Sequence, residues 1–220
     1  MIYVNGDGFA AASYSATDYS WASQDPTYVL KGFNLHPNNH DVSFARQLSS
    51  ILHDDLRNDA SEQNNWRKVI RDINDFISNK DIDYLVISWP NFFKGEIEFH
   101  DRIVSFDFAQ SDNKNLNLEL RNAMHEHFKT FNLKTEQENF ILECNKLSDM
   151  LNEKKIKHSF IMGNVIINVP NLKIDNWLFD PYNQNIKLWA EDKFLNKFNF
   201  ITPQGHIELA KLLISHLTNQ

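Results

Sequence analysis

Ile82 to Ser88 reads Ile-Asp-Tyr-Leu-Val-Ile-Ser, a nearly continuous apolar run stopped by Pro90. A strand with one wet face alternates apolar and polar residues. A run without that alternation suits a parallel strand covered on both faces. Such a strand requires helices above and below it and parallel neighbours beside it. Two further runs meet the second requirement: Met1 to Asn5, closed by the turn Gly6-Asp7-Gly8, and Lys157 to Gly163. The predicted strands are Ile2–Asn5, Tyr84–Ile87 and Ser159–Met162.

Helices are predicted between and after these runs. From Asn39 to Leu52, the residues Phe44, Leu48, Ile51 and Leu52 share one face, with Asn39 or Asp41 as the cap. From Asn64 to Ile77 an apolar stripe runs through Trp66, Val69, Ile70, Ile73, Phe76 and Ile77, while Arg67, Lys68 and Arg71 form a basic, solvated face. Thr135 to Lys154 opens on a Thr135/Glu138 capping box. The last helix starts at Pro203 behind a Thr202 cap. Residues 10–38, 91–115 and 164–199 show little periodicity and are predicted to be irregular. The pattern predicts one domain over residues 1–220, a three-layer α/β/α sandwich with a mainly parallel central sheet of flavodoxin-like kind. Ligand sites in such sheets lie at the carboxyl ends of the strands. That rule puts Gly6-Asp7-Gly8, Ser88-Trp89-Pro90-Asn91 and Gly163-Asn164 on one rim.

Composition narrows the classes of function. The formal charge is −7, which disfavours non-specific binding to nucleic acid or to an anionic membrane. The lone cysteine, Cys144, excludes a disulfide framework within the chain and a cysteine-based zinc site. Seventeen phenylalanines argue for a filled core over disorder. No basic leader with a long apolar stretch opens the sequence, and no run approaches the roughly eighteen apolar residues of a membrane span. The expectation is a soluble protein, cytoplasmic as synthesised, with a virion location also open. No cofactor and no metal are expected.

The order of motifs resembles the SGNH (GDSL-type) hydrolases, and more narrowly a set of phage-encoded GDSL-like proteins. Val4-Asn5-Gly6-Asp7-Gly8-Phe9 is similar to the first block of that family, in which Gly-Asp-Ser follows the first strand. Asp25-Pro26 and His36-Pro37-Asn38-Asn39 resemble the phage group. Ala60-Ser61 followed by Trp66 to Arg71 resembles the second block, Leu85-Val86-Ile87-Ser88-Trp89 the third strand, and Thr202-Pro203-Gln204-Gly205-His206 the end of the fifth block. The resemblance implies a serine nucleophile, a histidine base, an aspartate that orients it, and an oxyanion hole of backbone N–H groups and an Asn side chain. Carried onto this chain, the nucleophile falls on Gly8, the base on Phe200 and the aspartate on Lys197. The oxyanion glycine falls on Glu62 or Gln63, and the oxyanion Asn on Pro90.

The remaining candidates are few. Asp7 is read as a cap for backbone N–H groups of its turn, with a role as general base or ligand carboxylate as the alternative. His206 is read as a packed histidine at a helix start, with a displaced base as the alternative. Ser13 and Ser15 have no neighbouring base in the sequence and are read as loop serines. His125 and His127 form His-x-His; on a helix, which their neighbours suggest, they point about 200° apart and cannot share a metal, whereas on a strand they could. His36 and His40 flank a helix start. Phe92, Phe93, Phe99, Phe106 and Phe108 are read as a satellite core under a loop, with a ligand groove or a protein contact as the alternative. Three readings of function follow. The first is a catalytically degenerate SGNH-like domain that binds a small ligand or a protein partner, with Asp7, Gly8, Glu62, Gln63, Trp89, Asn91 and Asn164 at the site. The second is an active esterase or acetylesterase with relocated groups, Asp7 and His206. The third is a structural subunit of a larger assembly such as a virion.

Overall fold

Four strands, β1 (Ile2–Gly6), β2 (Leu56–Asn58), β3 (Tyr84–Trp89) and β4 (Lys157–Met162), form a parallel sheet in the order β2-β1-β3-β4. A computed structural model of the chain describes residues 1–20, 36–107, 111–191 and 193–220. The antiparallel hairpin of Lys94–Phe99 and Arg102–Asp107 stands apart from this sheet and is called βa and βb, so that β4 denotes Lys157–Met162. The register pairs Val4 with Val86 and Val86 with Ser159. Beyond β4 the sheet continues as a stub, since Phe160 N–H donates to Asn176 O at 2.9 Å and Leu178 N–H donates to Phe160 O at 3.0 Å. The run that opened the sequence argument is therefore interior and covered on both faces.

Strand alternation sorts the core into two layers. Tyr3, Leu85, Ile87, Trp89, Phe160 and Met162 face one side. They pack on α3 (Trp66–Asn79) and on α5 (Leu133–Glu153) through Val69, Ile73, Phe140 and Leu147. Ile2, Val4, Val86 and Ile161 face the other side, against α2 (Phe44–Leu52) and α7 (Pro203–Thr218), where Leu48, Leu209 and Leu213 meet them. The fold is the three-layer sandwich expected from the sequence. Among the described residues no helix is long and apolar enough to cross a membrane.

Local chemistry sets the helix boundaries. Asn65 caps α3 by accepting from Lys68 N–H, and Thr202 caps α7 by accepting from Gly205 N–H with Pro203 behind it. The capping box predicted at Thr135 is not formed. Helix α5 starts two residues earlier, and Asn132 accepts from Thr135 N–H at 3.1 Å. The helix predicted over 39–52 is two: α1 (Pro37–Val42) and α2, broken at Ser43. Ser43 has extended backbone, donates its hydroxyl to His40 O at 2.6 Å and accepts from Arg46 N–H at 3.1 Å. Its side chain thus ends one helix and starts the next. Asn39 does not cap either; its Oδ1 accepts from Ala16 and Thr17 N–H, which ties down the loop after β1.

The largest departure lies after β3. Residues 94–107, predicted irregular, form the antiparallel hairpin, with Phe99 paired to Arg102 across His100-Asp101. Both turn residues are left-handed, with φ of 49° and 59°. Two-residue turns of that hand match the twist of the strands, and Asp and His are among the residues that tolerate it. The hairpin is covered by α4 (Leu118–Lys129), where Phe106 is buried against Phe128. Strand β2 and the short helix α6 (Ile186–Ala190) were not read from the sequence either. The basic face of α3 is ion-paired as well as solvated: Arg67 with Glu136, Lys68 with Asp72, and Arg71 with Glu96 at 2.9 Å. Asp25-Pro26 and Phe108 lie outside the described residues.

Candidate functional site

At the end of β1 the chain turns through Gly6 with φ of +137°, and a Cβ there would lie 2.1 Å from Ser88 O. Only glycine permits this conformation and this approach of β3. Asn64 locks the turn by donating to Asn5 Oδ1, Gly6 O and Asp59 O. Asp7 follows, buried, with its N–H donating to Ser88 O at 3.0 Å. Its Oδ1 accepts from the Ser88 hydroxyl at 2.7 Å and from Phe9 N–H at 3.0 Å. Its other oxygen lies over Gly163, where a Cβ would come within 1.8 Å of Oδ2. Burial pushes the Asp7 carboxyl up to about 6, against the Ser88 hydrogen bond, the Lys94 charge and the Phe9 and Ala10 N–H groups. Asp7 thus caps its own turn and lines the depression beside it.

That depression, of about 270 Å³, sits beyond the carboxyl ends of the strands. Gly8 and Phe200 share it. A Cβ at position 8 would lie 2.8 Å from Phe200 Cε1 and 2.7 Å from Glu62 Cγ, so a ring edge and a carboxylate arm fill the space in front of Gly8. Phe200 is held by Phe9 and Tyr14, with ring centroids 5.2 and 5.4 Å away. Glu62 is held by the Ser20 hydroxyl, which donates to Oε2 at 2.8 Å, and burial raises its carboxyl above the usual range.

Gln63, Asn91 and Asn164 also line the depression. Trp89 does not. It is fully buried on the opposite course of the strand, with Phe140 and Phe160 at 5.0 and 5.7 Å. Its indole N–H has no partner among the described residues. Burying a ring of this size gains about 4 to 6 kcal/mol of transfer free energy, more than the roughly 1 to 3 kcal/mol lost by an unpaired donor. Packing wins, and Trp89 belongs to the core. Lys197, assigned with Phe200 by resemblance, points out to solvent and pairs with Asp18 at 2.9 Å.

Two lining residues were not foreseen. Lys94, the first residue of the hairpin, reaches into the depression and donates to the backbone oxygen of Glu62. Burial lowers its ammonium below the usual lysine range, and the carboxylates of Asp7, Glu62 and Asp107 oppose that. Asp107 comes from the last residue of the same hairpin and lines the depression too. Among the described residues, the lining therefore carries three carboxylates, one ammonium and three amide side chains, but no hydroxyl, thiol or imidazole.

Hydroxyl and imidazole meet elsewhere. Ser15 Oγ lies 2.9 Å from His206 Nε2, so the sequence reading that Ser15 has no base beside it is corrected. The partners are 191 positions apart, which is why no local pattern revealed them. His206 is fully buried, and burial pushes its imidazole down to about 3. Phe44 N–H donates to His206 Nδ1 at 3.2 Å. In the neutral ring Nδ1 is then the acceptor, so Nε2 carries the proton and donates to Ser15 Oγ. Elsewhere on the molecule, His127 packs against Gly95 and Phe106, while His125 approaches Ser111 O and Asp112. Among the described residues no three His, Cys, Asp or Glu side chains converge on a metal position.

No protein-family model matches the chain, and no curated protein sequence does. Solved structures do. An acetyl xylan esterase from the rumen bacterium Butyrivibrio proteoclasticus is similar over 99% of this chain, at 14% identity and a TM-score of 0.50. A carbohydrate esterase whose active site is described as displaying divergent catalytic and non-catalytic binding functions is similar over 100% of it, at 11% identity and a TM-score of 0.51. The chain spans 63% and 64% of the length of those two proteins. A protein assigned to the lipolytic G-D-S-L family from Desulfitobacterium hafniense is similar over 98% of both chains, at 10% identity; its TM-score of 0.49 carries no weight. At these identities the likeness concerns the fold alone, which this chain shares with those two esterases.

Proposed function

We propose that this chain is an SGNH-like domain without serine-hydrolase chemistry, which uses the depression over Gly8 to bind a small polar ligand or a protein partner. One observation carries the reading: the space in front of Gly8 is filled by Phe200 and Glu62, and no hydroxyl, thiol or imidazole side chain lines the depression among the described residues. Acyl transfer needs an oxygen or sulfur that attacks the carbonyl and a base that takes its proton. Gly8 has no side chain and Phe200 accepts no proton. Asp7 is engaged by Ser88 and Phe9, which supports a structural role for it. The carboxylates, the lysine and the amides that remain suit hydrogen bonding and charge recognition. A phage-related accessory role and a place in a virion are further proposals, resting on resemblance alone.

The rival reading is an active esterase with relocated groups, and the Ser15–His206 contact favours it. Two facts count against it. The proton already on Nε2 leaves no lone pair to receive the serine proton, and both residues are buried. Incubation of the purified protein with p-nitrophenyl acetate and, separately, with a fluorophosphonate probe separates the readings. The expected result is no hydrolysis above buffer and no labelling. Turnover that disappears in Ser15→Ala or His206→Gln would overturn the proposal and establish the rival.

A further inference from the structure

Next to the depression, and meeting it at Asn164, lies a second groove of about 450 Å³. Its walls come from separate segments. Phe92 and Phe93 follow β3, Leu133 opens α5, Val165 and Ile166 follow β4, and Leu188 lies on α6. Phe93 and Leu188 are about half exposed, at 48% and 45%, and give the groove an apolar wall open to solvent.

Two polar side chains at the groove are buried to within 3% of their surface, Gln137 and Asn185. In each the amide oxygen is already used. Gln137 Oε1 accepts from Asn168 N–H at 3.1 Å, and Asn185 Oδ1 accepts from Leu188 N–H at 2.8 Å. A backbone N–H can only donate, so these bonds fix which end of each amide is oxygen. The NH₂ ends are left without a partner among the described residues, on side chains that line the groove. Neither nitrogen is sealed from solvent, so each is free to donate to an acceptor that enters the groove. Lys187 lines the groove as well and pairs with no carboxylate among the described residues. The one carboxylate of the lining, Glu191, is exposed.

We propose that this groove binds a small organic acid, whose carboxylate is received by Gln137 Nε2, Asn185 Nδ2 and Lys187 Nζ and whose apolar body lies on Phe92, Phe93 and Leu188. The donor set selects the ligand: three N–H-bearing residues lining one apolar trough favour an anionic acceptor on an apolar stem over a cation or a polyol. The groove volume suits a ligand of drug-like size or below. This site does not use Gly8, so it stands or falls apart from the non-hydrolytic reading.

Calorimetric titration of the full chain with 4-phenylbutanoate, and with 4-phenylbutan-1-ol as the neutral match, tests the proposal. Saturable binding of the acid is expected, at least about tenfold tighter than the alcohol, which corresponds to about 1.4 kcal/mol. Gln137→Glu and Asn185→Asp each keep the oxygen that accepts the backbone N–H but replace the donor with an acceptor. Each is expected to weaken the acid about tenfold or more. Lys187→Gln, at a half-buried position that tolerates change, is expected to weaken it about threefold and serves as the readout if a buried variant fails to fold. The proposal is overturned by no saturable heat at about 10 mM acid, by equal affinity for acid and alcohol, or by unchanged affinity in the variants that fold.

Discussion

The depression over Gly8 and the Ser15–His206 pair divide between them what a hydrolase keeps together. The depression has the location, at the carboxyl ends of the strands, and is open to a ligand; its lining has no hydroxyl, thiol or imidazole among the described residues. The pair has hydroxyl and imidazole 2.9 Å apart, but it is closed from solvent and its proton sits on the wrong nitrogen to serve as a base. Location and chemistry are separable properties of a fold. The two regions also hold oppositely perturbed groups, which gives the comparison a measurable form.

The largest expected effect is on stability against pH. His206 titrates at about 3 in the folded chain, against an ordinary 6.5, because burial disfavours its cation. Its depressed value means that the unfolded chain binds more protons between those limits, so stability is present above about 6.5 and is lost as pH falls toward 3. The shift corresponds to at most roughly 5 kcal/mol. Asp7 works in the other direction. Its carboxyl titrates at about 6 against an ordinary 3.8, so its contribution is fully present below 3.8 and is lost as pH rises through 6. That opposing effect is at most roughly 3 kcal/mol. Urea unfolding from pH 4 to pH 7 should therefore show stability rising with pH in the parent, a flatter or reversed profile in His206→Gln, and a steeper rise in Asp7→Asn. Parallel profiles in all three proteins would mean that neither group is buried as described.

A smaller effect is expected at Gly8. A methyl group there meets Glu62 Cγ at 2.7 Å and Phe200 Cε1 at 2.8 Å, both closer than van der Waals contact, so a neighbour must move. Overpacking of this kind costs about 1 to 3 kcal/mol. Gly8→Ala should lower the thermal midpoint by a few degrees, and Phe200→Ala in the same chain should return part of that loss, because the two positions share one space. A Gly8→Ala protein as stable as the parent would show that the depression is roomier than the geometry requires, and would weaken the argument that Phe200 bars the nucleophile's place.

The sheet was legible in the sequence because its signal is local. Strands β1, β3 and β4 are short apolar runs buried on both faces, and α3 and α7 carry their caps next to their stripes. The rim was legible only in part. Asp7, Gly8, Asn91 and Asn164 follow directly from strand ends, and all four line the depression. The strand-end rule puts Trp89 on the rim, although the period of two that sends Leu85 and Ile87 inward sends Trp89 with them. Lys94 and Asp107 were missed because the hairpin turn is His100-Asp101 and not a glycine-bearing pair, so its alternation went unread. The Ser15–His206 contact has no sequence signature at all, since a loop residue meets a helix residue only when the sheet and α7 have assembled.

The smallest effect is expected at Lys197, and it bears on whether the depression and the surface beside it form one unit. Resemblance puts at this position the aspartate that would orient a histidine at 200. The side chain instead lies over the Phe198 ring, 4.8 Å from its centroid, and pairs with Asp18, each partner about two thirds exposed. Exposed pairs of this kind contribute about 0 to 1 kcal/mol, and salt screens them. Lys197→Ala should therefore change stability by no more than about 0.5 kcal/mol at moderate salt. Lys197→Asp should cost slightly more at low salt, because it sets a second carboxylate beside Asp18, and the difference between the two variants should vanish as salt is raised. A loss above about 1 kcal/mol in Lys197→Ala, persisting at high salt, would contradict the exposed geometry and place Lys197 in the packing that holds Phe200 over Gly8. The salt-insensitive part of the loss is the quantity to read, because it isolates packing from the ion pair.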